Sequence, residues 1–150
     1  MGIDRRSVVL TGFMGVGKST VGARLAARLG WPFIDLDERI EAATGRSIPD
    51  LFAEGEPAFR WHEAQQLRAL PTDRPIVLAT GGGTLIGHAN QRVVAQARVV
   101  WLDAPPELLR ERLSHGASRP LAAEMDTLYE RRRATYERLP HRVAVGALSP

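Results

Sequence analysis

The chain has 150 residues, no cysteine and a formal net charge of +3, with an isoelectric point near 10.1. These values predict a single domain over 1–150 in a reducing cytoplasm, and they exclude disulfides and thiolate metal sites. No apolar run approaches the ~18 residues of a membrane span, so a membrane protein is not expected. The arginines are spread along the chain without interleaved aromatic residues, so nucleic-acid binding is not expected either. We instead expect some of these arginines to bind an anionic small-molecule substrate.

Apolar runs predict five short buried strands, and helical periodicity fills the intervals between them. The predicted strands are 8–10, 33–36, 76–79, 99–102 and 143–145, and the predicted helices are 20–29, 38–43, 49–70 with a break near Gly55, 89–97, 105–113 and 125–139. This alternation predicts an α/β fold of three layers, with a five-stranded parallel sheet covered on both faces. Ligands are then expected at the carboxyl ends of the strands.

The only lysine of the chain lies in the segment GFMGVGKST, residues 12–20, directly after the first predicted strand. The segment matches the P-loop pattern G-x-x-x-x-G-K-[ST], in which glycines let backbone N–H groups surround phosphate oxygens. Lys18 would reach the β- and γ-phosphates, and the Ser19 hydroxyl would ligate Mg²⁺. The sequence therefore predicts ATP and Mg²⁺ binding, with the nucleotide contacted by Gly15, Val16, Gly17, Lys18, Ser19 and Thr20.

Two carboxylates, Asp35 and Asp37, follow the second predicted strand. Side chains alternate along a strand, so both are expected on one side. One would serve Mg²⁺ and the other a substrate hydroxyl. The alternative is that Asp37 only caps a helix beginning at Glu38.

Further along the chain, the triple glycine 81–83 follows the third predicted strand and would admit a ligand close to backbone N–H groups; the alternative is a flexible turn. Arg60 and Glu63 share a helix face, either as part of a site or as an ordinary surface ion pair.

Two arginines toward the C-terminus are also candidates. The loop at 114–121 carries Arg119 and would close over ATP as a lid, or it is a simple connector. Arg132 and Tyr136 lie one helical turn apart, where a solvated charged face is the default interpretation.

Taken together, the segments GFMGVGKST, FIDLD, TGRSIPDLFAEGEPAFRWHE, ATGGGT, SRPL and RRATY resemble the shikimate kinases, P-loop enzymes related to nucleoside monophosphate kinases. The resemblance extends from about Val8 to Val145. It implies a cytoplasmic enzyme that transfers the γ-phosphoryl group of ATP to the 3-hydroxyl of shikimate in aromatic amino-acid biosynthesis, and we expect a monomer. A gluconate kinase or another small-molecule P-loop kinase, and a weakly active nucleotide-binding remnant, are the alternatives.

The resemblance also implies roles for individual residues. The implied catalytic residues are Lys18, Asp37 and Arg119. Mg²⁺ would be held by Ser19 and Asp35, and the adenine would be flanked by Arg112. Shikimate would be bound by Asp37, Arg60, Glu63, Gly81, Gly82 and Arg132. Ile48, Phe52 and Phe59 would either wall the substrate ring or form plain helix core.

The chain departs from the family pattern in two places. RRATY replaces the usual Arg-x-Pro-Leu-Tyr, so Arg132 and Arg133 are both candidates for the carboxylate contact. The sequence stops at Pro150, where the family normally continues through an adenine-contacting loop and a last helix. We therefore expect the C-terminal helix to be missing, with a weaker adenine site as the consequence.

Overall fold

The computed structural model describes residues 2–13, 15–113, 122–139 and 141–144. Its centre is a five-stranded parallel sheet with the strand order β2-β3-β1-β4-β5. The strands are β1 (Val8–Thr11), β2 (Phe33–Asp35), β3 (Val77–Ala79), β4 (Arg98–Asp103) and β5 (His141–Ala144). The predicted five-stranded parallel sheet is confirmed, although β5 begins two residues earlier than expected.

Helices cover both faces of this sheet. They are α1 (Lys18–Leu29), α2 (Leu36–Thr44), α3 (Ile48–Ala53), α4 (Glu56–Arg68), α5 (His88–Val94), α6 (Pro106–Leu113) and α7 (Ala122–Tyr136), and a single 3₁₀ turn spans Thr84–Ile86. The predicted break lies at Gly55, whose φ of 113° favours glycine. Among the described residues, no helix is both long and apolar enough to cross a membrane.

Strand alternation divides the interior into two apolar clusters. Val9 of β1 packs in one cluster with residues of α2, α3 and α4, whereas the next residue, Leu10, packs in the other with Leu109 of α6 and Tyr129 of α7. Because successive strand residues point to opposite faces, these clusters lie on opposite sides of the sheet. The three-layer prediction is therefore confirmed.

The end of β2 differs from the prediction. The strand stops at Asp35, and the fully buried Leu36 is already the first residue of α2. Asp35 is the N-cap, because its Oδ1 accepts a hydrogen bond from the Glu38 N–H at 3.2 Å. The expectation that Asp35 and Asp37 lie on one side of a strand was wrong, and so was the alternative that Asp37 caps a helix beginning at Glu38.

Candidate active site

The loop after β1 has the conformation that a phosphate-binding loop requires. Gly12, Gly15 and Gly17 have φ values of 147°, 82° and 101°, a region that favours glycine. At Gly12 a Cβ atom would also lie 2.5 Å from the Leu102 carbonyl oxygen, so the packing excludes a side chain there. The loop leads directly into α1, whose N-terminal N–H groups and dipole favour an anion.

Lys18, the first residue of α1, folds back over this loop. Its Nζ donates hydrogen bonds to the carbonyl oxygens of Gly12 at 2.6 Å and Phe13 at 3.2 Å. Burial lowers the pKa of the ammonium to about 8, and the positive charge of Arg132 adds to this effect, while the charges of Asp37 and Asp35 oppose it. The ammonium is thus held beside the loop in a setting that an additional anion would stabilise.

A cavity of about 320 Å³ joins the P-loop to the ends of β2 and β3. It is lined by Gly15, Gly17, Lys18, Ser19, Thr20, Asp35, Asp37, Thr80, Gly81 and Gly82. The two strands are neighbours in the sheet, which brings the carboxylates and the triple glycine to the same edge. Val16 is absent from this lining because its side chain is buried beneath the loop.

Ser19 and Asp35 form one corner of the cavity. The Ser19 hydroxyl donates to Asp35 Oδ2 at 2.5 Å. Hydroxyl and carboxylate oxygens are the ligands that Mg²⁺ prefers, usually one or two from protein with water and phosphate oxygens completing the shell. No cluster of three or more His, Cys, Asp or Glu in the described part of the chain is arranged to hold a metal by itself. The donor set therefore suits a cation that arrives with phosphates.

Asp37 presents an unused hydrogen-bond acceptor to the cavity. Its Oδ1 is buried and has no hydrogen-bond partner among the described residues. Burial raises the pKa of this carboxyl to about 6, and the negative charges of Asp35 and Glu63 add to the rise, whereas Lys18 opposes it. A Cβ atom on Gly81 would lie 3.2 Å from Asp37 Oδ1, so a glycine leaves room for a group beside it. A buried acceptor without a partner is costly unless a ligand donates to it.

Arg60 and Glu63 form a pair that is far from an ordinary surface ion pair. Glu63 is fully buried, and it accepts hydrogen bonds from Arg60 Nη1 at 2.8 Å and from the Thr84 hydroxyl at 2.8 Å. Glu56 contacts the other edge of the guanidinium at 3.3 Å. This network fixes Arg60 on the side of the triple glycine.

Arg132 reaches the same glycines from α7. A Cβ atom on Gly82 would lie 2.6 Å from Arg132 Nη1, and one on Gly83 would lie 2.4 Å from Arg60 Nη2 and 3.2 Å from Arg132 Nη2. Burial lowers the pKa of Arg132, and the charge of Arg60 contributes to this shift. Arg132 forms no ion pair with a carboxylate within the described ranges. Two guanidinium groups that converge in this way present a site for an anion.

Arg133 points elsewhere. Its guanidinium donates to Glu137 at 2.7 Å and to the Tyr129 hydroxyl at 3.2 Å. Of the two adjacent arginines, only Arg132 lies beside the triple glycine.

The profile of the shikimate kinase family matches residues 14–147. The shikimate kinase of Synechococcus elongatus is 44% identical over 146 residues, which cover 92% of this chain and 76% of that protein. The shikimate kinase of Caulobacter vibrioides is 44% identical over 160 residues, with 95% and 80% covered. The chain belongs to the shikimate kinase family. This membership confirms the prediction, made from the sequence, of an ATP-dependent small-molecule kinase.

Solved structures give the same result for the fold. The shikimate kinase from Acinetobacter baumannii in complex with shikimate superposes with a TM-score of 0.87 at 35% identity, covering 97% of this chain and 85% of that one. A gluconokinase from Sinorhizobium meliloti reaches 0.59 at 21% identity, with 97% and 85% covered, and shares the fold alone. The gluconate kinase alternative is therefore not favoured.

Two predicted nucleotide contacts lie outside the described part. Arg119 falls in residues 114–121, together with most of the predicted lid, and the side chain of Arg112 is not described. Of the predicted ring wall, Phe59 belongs to the core with Ile48 against it, whereas Phe52 is 40% exposed and stacks on Phe59 beside Arg60.

Sequence reasoning missed the role of two residues at this site. No role was predicted for Thr84, the last residue of the ATGGGT segment, yet its hydroxyl donates a hydrogen bond to the buried Glu63. Tyr136 was expected on a solvated face, but it is 1% exposed and its hydroxyl donates to the Gly82 carbonyl oxygen. The available signal was the spacing of four between Arg132 and Tyr136, which puts both on one face of α7.

Proposed function

We propose that this chain transfers the γ-phosphoryl group of ATP to the 3-hydroxyl of shikimate, yielding ADP and shikimate 3-phosphate. The observation that carries the proposal is the buried Oδ1 of Asp37, which has no hydrogen-bond partner among the described residues and lies at a cavity shared with the P-loop and the triple glycine. Shikimate is a small molecule with one carboxylate and several hydroxyls. Its carboxylate matches Arg60 and Arg132, and a hydroxyl held at Asp37 faces the phosphate site.

One group of residues binds the phosphates of ATP, and another binds and orients shikimate. The P-loop N–H groups and Lys18 hold the β- and γ-phosphates and stabilise the charge on the transferred group. Arg60, positioned by Glu63, and Arg132 hold the shikimate carboxylate, with backbone contacts from Gly81 and Gly82. This arrangement fixes the substrate with one hydroxyl toward the nucleotide.

Asp37 acts on the attacking hydroxyl. Its Oδ1 accepts the hydroxyl hydrogen bond and receives the proton as the oxygen–phosphorus bond forms and the bond to the ADP oxygen breaks. A carboxyl with a pKa of about 6 is ionised at neutral pH, yet it is more basic than an exposed aspartate.

Ser19 and Asp35 would hold Mg²⁺ with the nucleotide, because their oxygens are adjacent and both residues line the phosphate cavity. The ion supplies neutralisation of phosphate charge and alignment of the phosphoryl group. We assign Arg119, on a lid at about 114–123, to the ATP phosphates and Arg112 to the adenine, within one domain over 1–150.

A coupled ADP-release assay with Mg·ATP tests the proposal, comparing shikimate, gluconate and no added substrate. We expect turnover that depends on shikimate and is absent with gluconate, and it should be lost in Asp37→Asn while ADP still binds. Equal turnover with gluconate, or ATP hydrolysis indifferent to shikimate, would contradict it.

A further inference from the structure

The hydroxyl of Tyr136 lies between two of the residues assigned to shikimate. It donates a hydrogen bond to the Gly82 carbonyl oxygen. The Arg132 guanidinium, one helical turn earlier on α7, lies at the same glycine, because a Cβ atom on Gly82 would be 2.6 Å from Arg132 Nη1. Gly82 lies in the loop after β3, whereas Arg132 lies on α7. The phenol oxygen of Tyr136 therefore joins the triple glycine to the helix that carries Arg132.

We propose that Tyr136 is a positioning residue that holds Gly82 and Arg132 in the arrangement that receives the shikimate carboxylate. The inference rests on the proposed function, since it deepens the description of that same site. Tyr136 is not among the described residues that line the cavity joining the P-loop to Asp37, so we assign it an action through Gly82 and Arg132 and not a direct one on the nucleotide.

The surroundings of the ring show that its hydroxyl is not needed for packing. Tyr136 is 1% exposed, and its ring packs against Trp101 with the centroids 5.6 Å apart. A phenylalanine would fill this space equally well, and it would avoid the cost of removing a hydroxyl from water. The hydroxyl instead donates to the carbonyl oxygen of a site residue, Gly82, which is the pattern expected of an orienting group.

The Trp101 ring is in turn held from the far edge of the sheet. The Arg142 guanidinium of β5 lies 4.9 Å from the Trp101 ring centroid, and Arg142 is also paired with Asp103 of β4, its Nε donating to Asp103 Oδ2 at 2.9 Å. Tyr136 is thus backed by a continuous set of contacts that runs from β5 to the triple glycine. A ring supported in this way can hold Gly82 and Arg132 with little freedom.

Loss of the hydroxyl should weaken shikimate binding selectively. Tyr136→Phe leaves the Gly82 carbonyl without its hydrogen-bond donor, and such a bond is worth about 0.5–1.5 kcal/mol, or roughly 2- to 13-fold. We expect KM for shikimate to rise about tenfold. KM for ATP should change less than about twofold, because Tyr136 is not among the described residues that line the P-loop cavity.

The chain supplies a matched control. Its only other tyrosine, Tyr129, lies two turns earlier on α7, is also buried, and has its hydroxyl 3.3 Å from Asp103 Oδ1. Tyr129→Phe removes a buried phenol oxygen from the same helix at a place away from the triple glycine. We expect it to leave KM for shikimate unchanged. Equal effects of the two substitutions on this KM would overturn the proposal and show a general packing role.

A direct spectroscopic readout covers the case in which Tyr136→Phe does not fold. With 3-fluorotyrosine incorporated, the chain has two ¹⁹F resonances, which the Tyr129→Phe variant assigns. Saturating shikimate should shift the Tyr136 signal and leave that of Tyr129 in place. If the Tyr136 signal does not shift with shikimate in protein that phosphorylates shikimate normally, the positioning role is refuted and the proposed function stands. If the unmodified chain does not phosphorylate shikimate, the proposed function itself is refuted.

Discussion

The lowered pKa of Lys18 predicts an unusual pH dependence of nucleotide binding. Burial and the nearby charge of Arg132 lower the pKa of its ammonium from the ordinary 10.5 to about 8. About nine tenths of the free protein then carries a charged Lys18 at pH 7, but only about one tenth does so at pH 9. Phosphate oxygens stabilise the charged form, so ADP affinity should fall about tenfold between these two pH values, or about 1.4 kcal/mol.

Isothermal titration calorimetry of ADP in buffers of different ionisation enthalpy measures both the affinity and the protons taken up. Proton uptake on binding should rise from about 0.1 at pH 7 to about 0.9 at pH 9, because the phosphates restore the charge of Lys18. The matched control is Lys18→Arg. A guanidinium remains protonated across this range, so its affinity should be flat and its proton uptake near zero.

The control also removes a confounding effect, since any ionisation of the nucleotide itself is common to both proteins. If wild type and Lys18→Arg show parallel affinities from pH 7 to pH 9, the pKa of Lys18 is not depressed. In that case burial and Arg132 do not govern the charge of the P-loop lysine, and the electrostatic account of this loop is wrong.

Three further predictions concern the groups around the substrate site. Asp37 must be ionised to accept the proton, so kcat should fall as pH drops through about 6. Asp37→Asn should abolish this acidic fall in kcat and lower kcat at least ~100-fold, while the Kd of ADP changes less than about threefold. Arg132→Ala should raise KM for shikimate about 10- to 100-fold, from a charged hydrogen bond worth about 1.5–3 kcal/mol, whereas a comparable effect of Arg133→Ala would refute the assignment. Glu63→Ala leaves Arg60 without its buried partner, so steady-state kinetics should show a higher KM for shikimate. Thermal melting should show a Tm lower by about 5–15 °C, because the free energy of unfolding falls by about 3–5 kcal/mol. An unchanged Tm would contradict the buried pairing.

Local patterns predicted the layers of the fold but not the order of its strands. Apolar runs and helical periodicity identified every strand to within two residues at either end. The order β2-β3-β1-β4-β5 depends on register, with Val9 paired to Leu78 on one side and to Val99 on the other. These partners are about 70 and 90 residues away in sequence, and periodicity carries no information on such distant pairing.

The error at Asp35 has a local physical cause. Leu36 is buried equally well as the last residue of a strand or the first of a helix, so its hydrophobicity did not distinguish the two. The capping interaction between Asp35 and the Glu38 N–H decides in favour of the helix. The signal was present as an aspartate three residues before a glutamate, a spacing typical of helix starts.

The candidate site was predictable as a set of residues but not as an electrostatic environment. The helix spacing placed Arg60 and Glu63 on one face, yet the complete burial of Glu63 depends on Thr84, which belongs to another element. In the same way, nothing in the local sequence places Tyr136 at Gly82, because the contact joins residues 54 positions apart. Tertiary packing, not local pattern, determines which polar groups lose water.

The site brings the cations Lys18, Arg60 and Arg132 close to the carboxylates of Asp35, Asp37 and Glu63, and Glu56 contacts the other edge of Arg60. Like charges lie close together in this arrangement. Arg132 disfavours the charged form of Lys18, and Asp35 and Glu63 disfavour that of Asp37. At pH 9 only about one tenth of the free protein carries a charged Lys18, and a carboxylate bound at Arg132 would offset the positive charge that acts on the lysine and so increase its protonation. Because binding free energies are reciprocal, the two anionic substrates should then favour each other's binding through the Lys18–Arg132 pair. At pH 7, where about nine tenths of Lys18 is already charged, this coupling should be negligible.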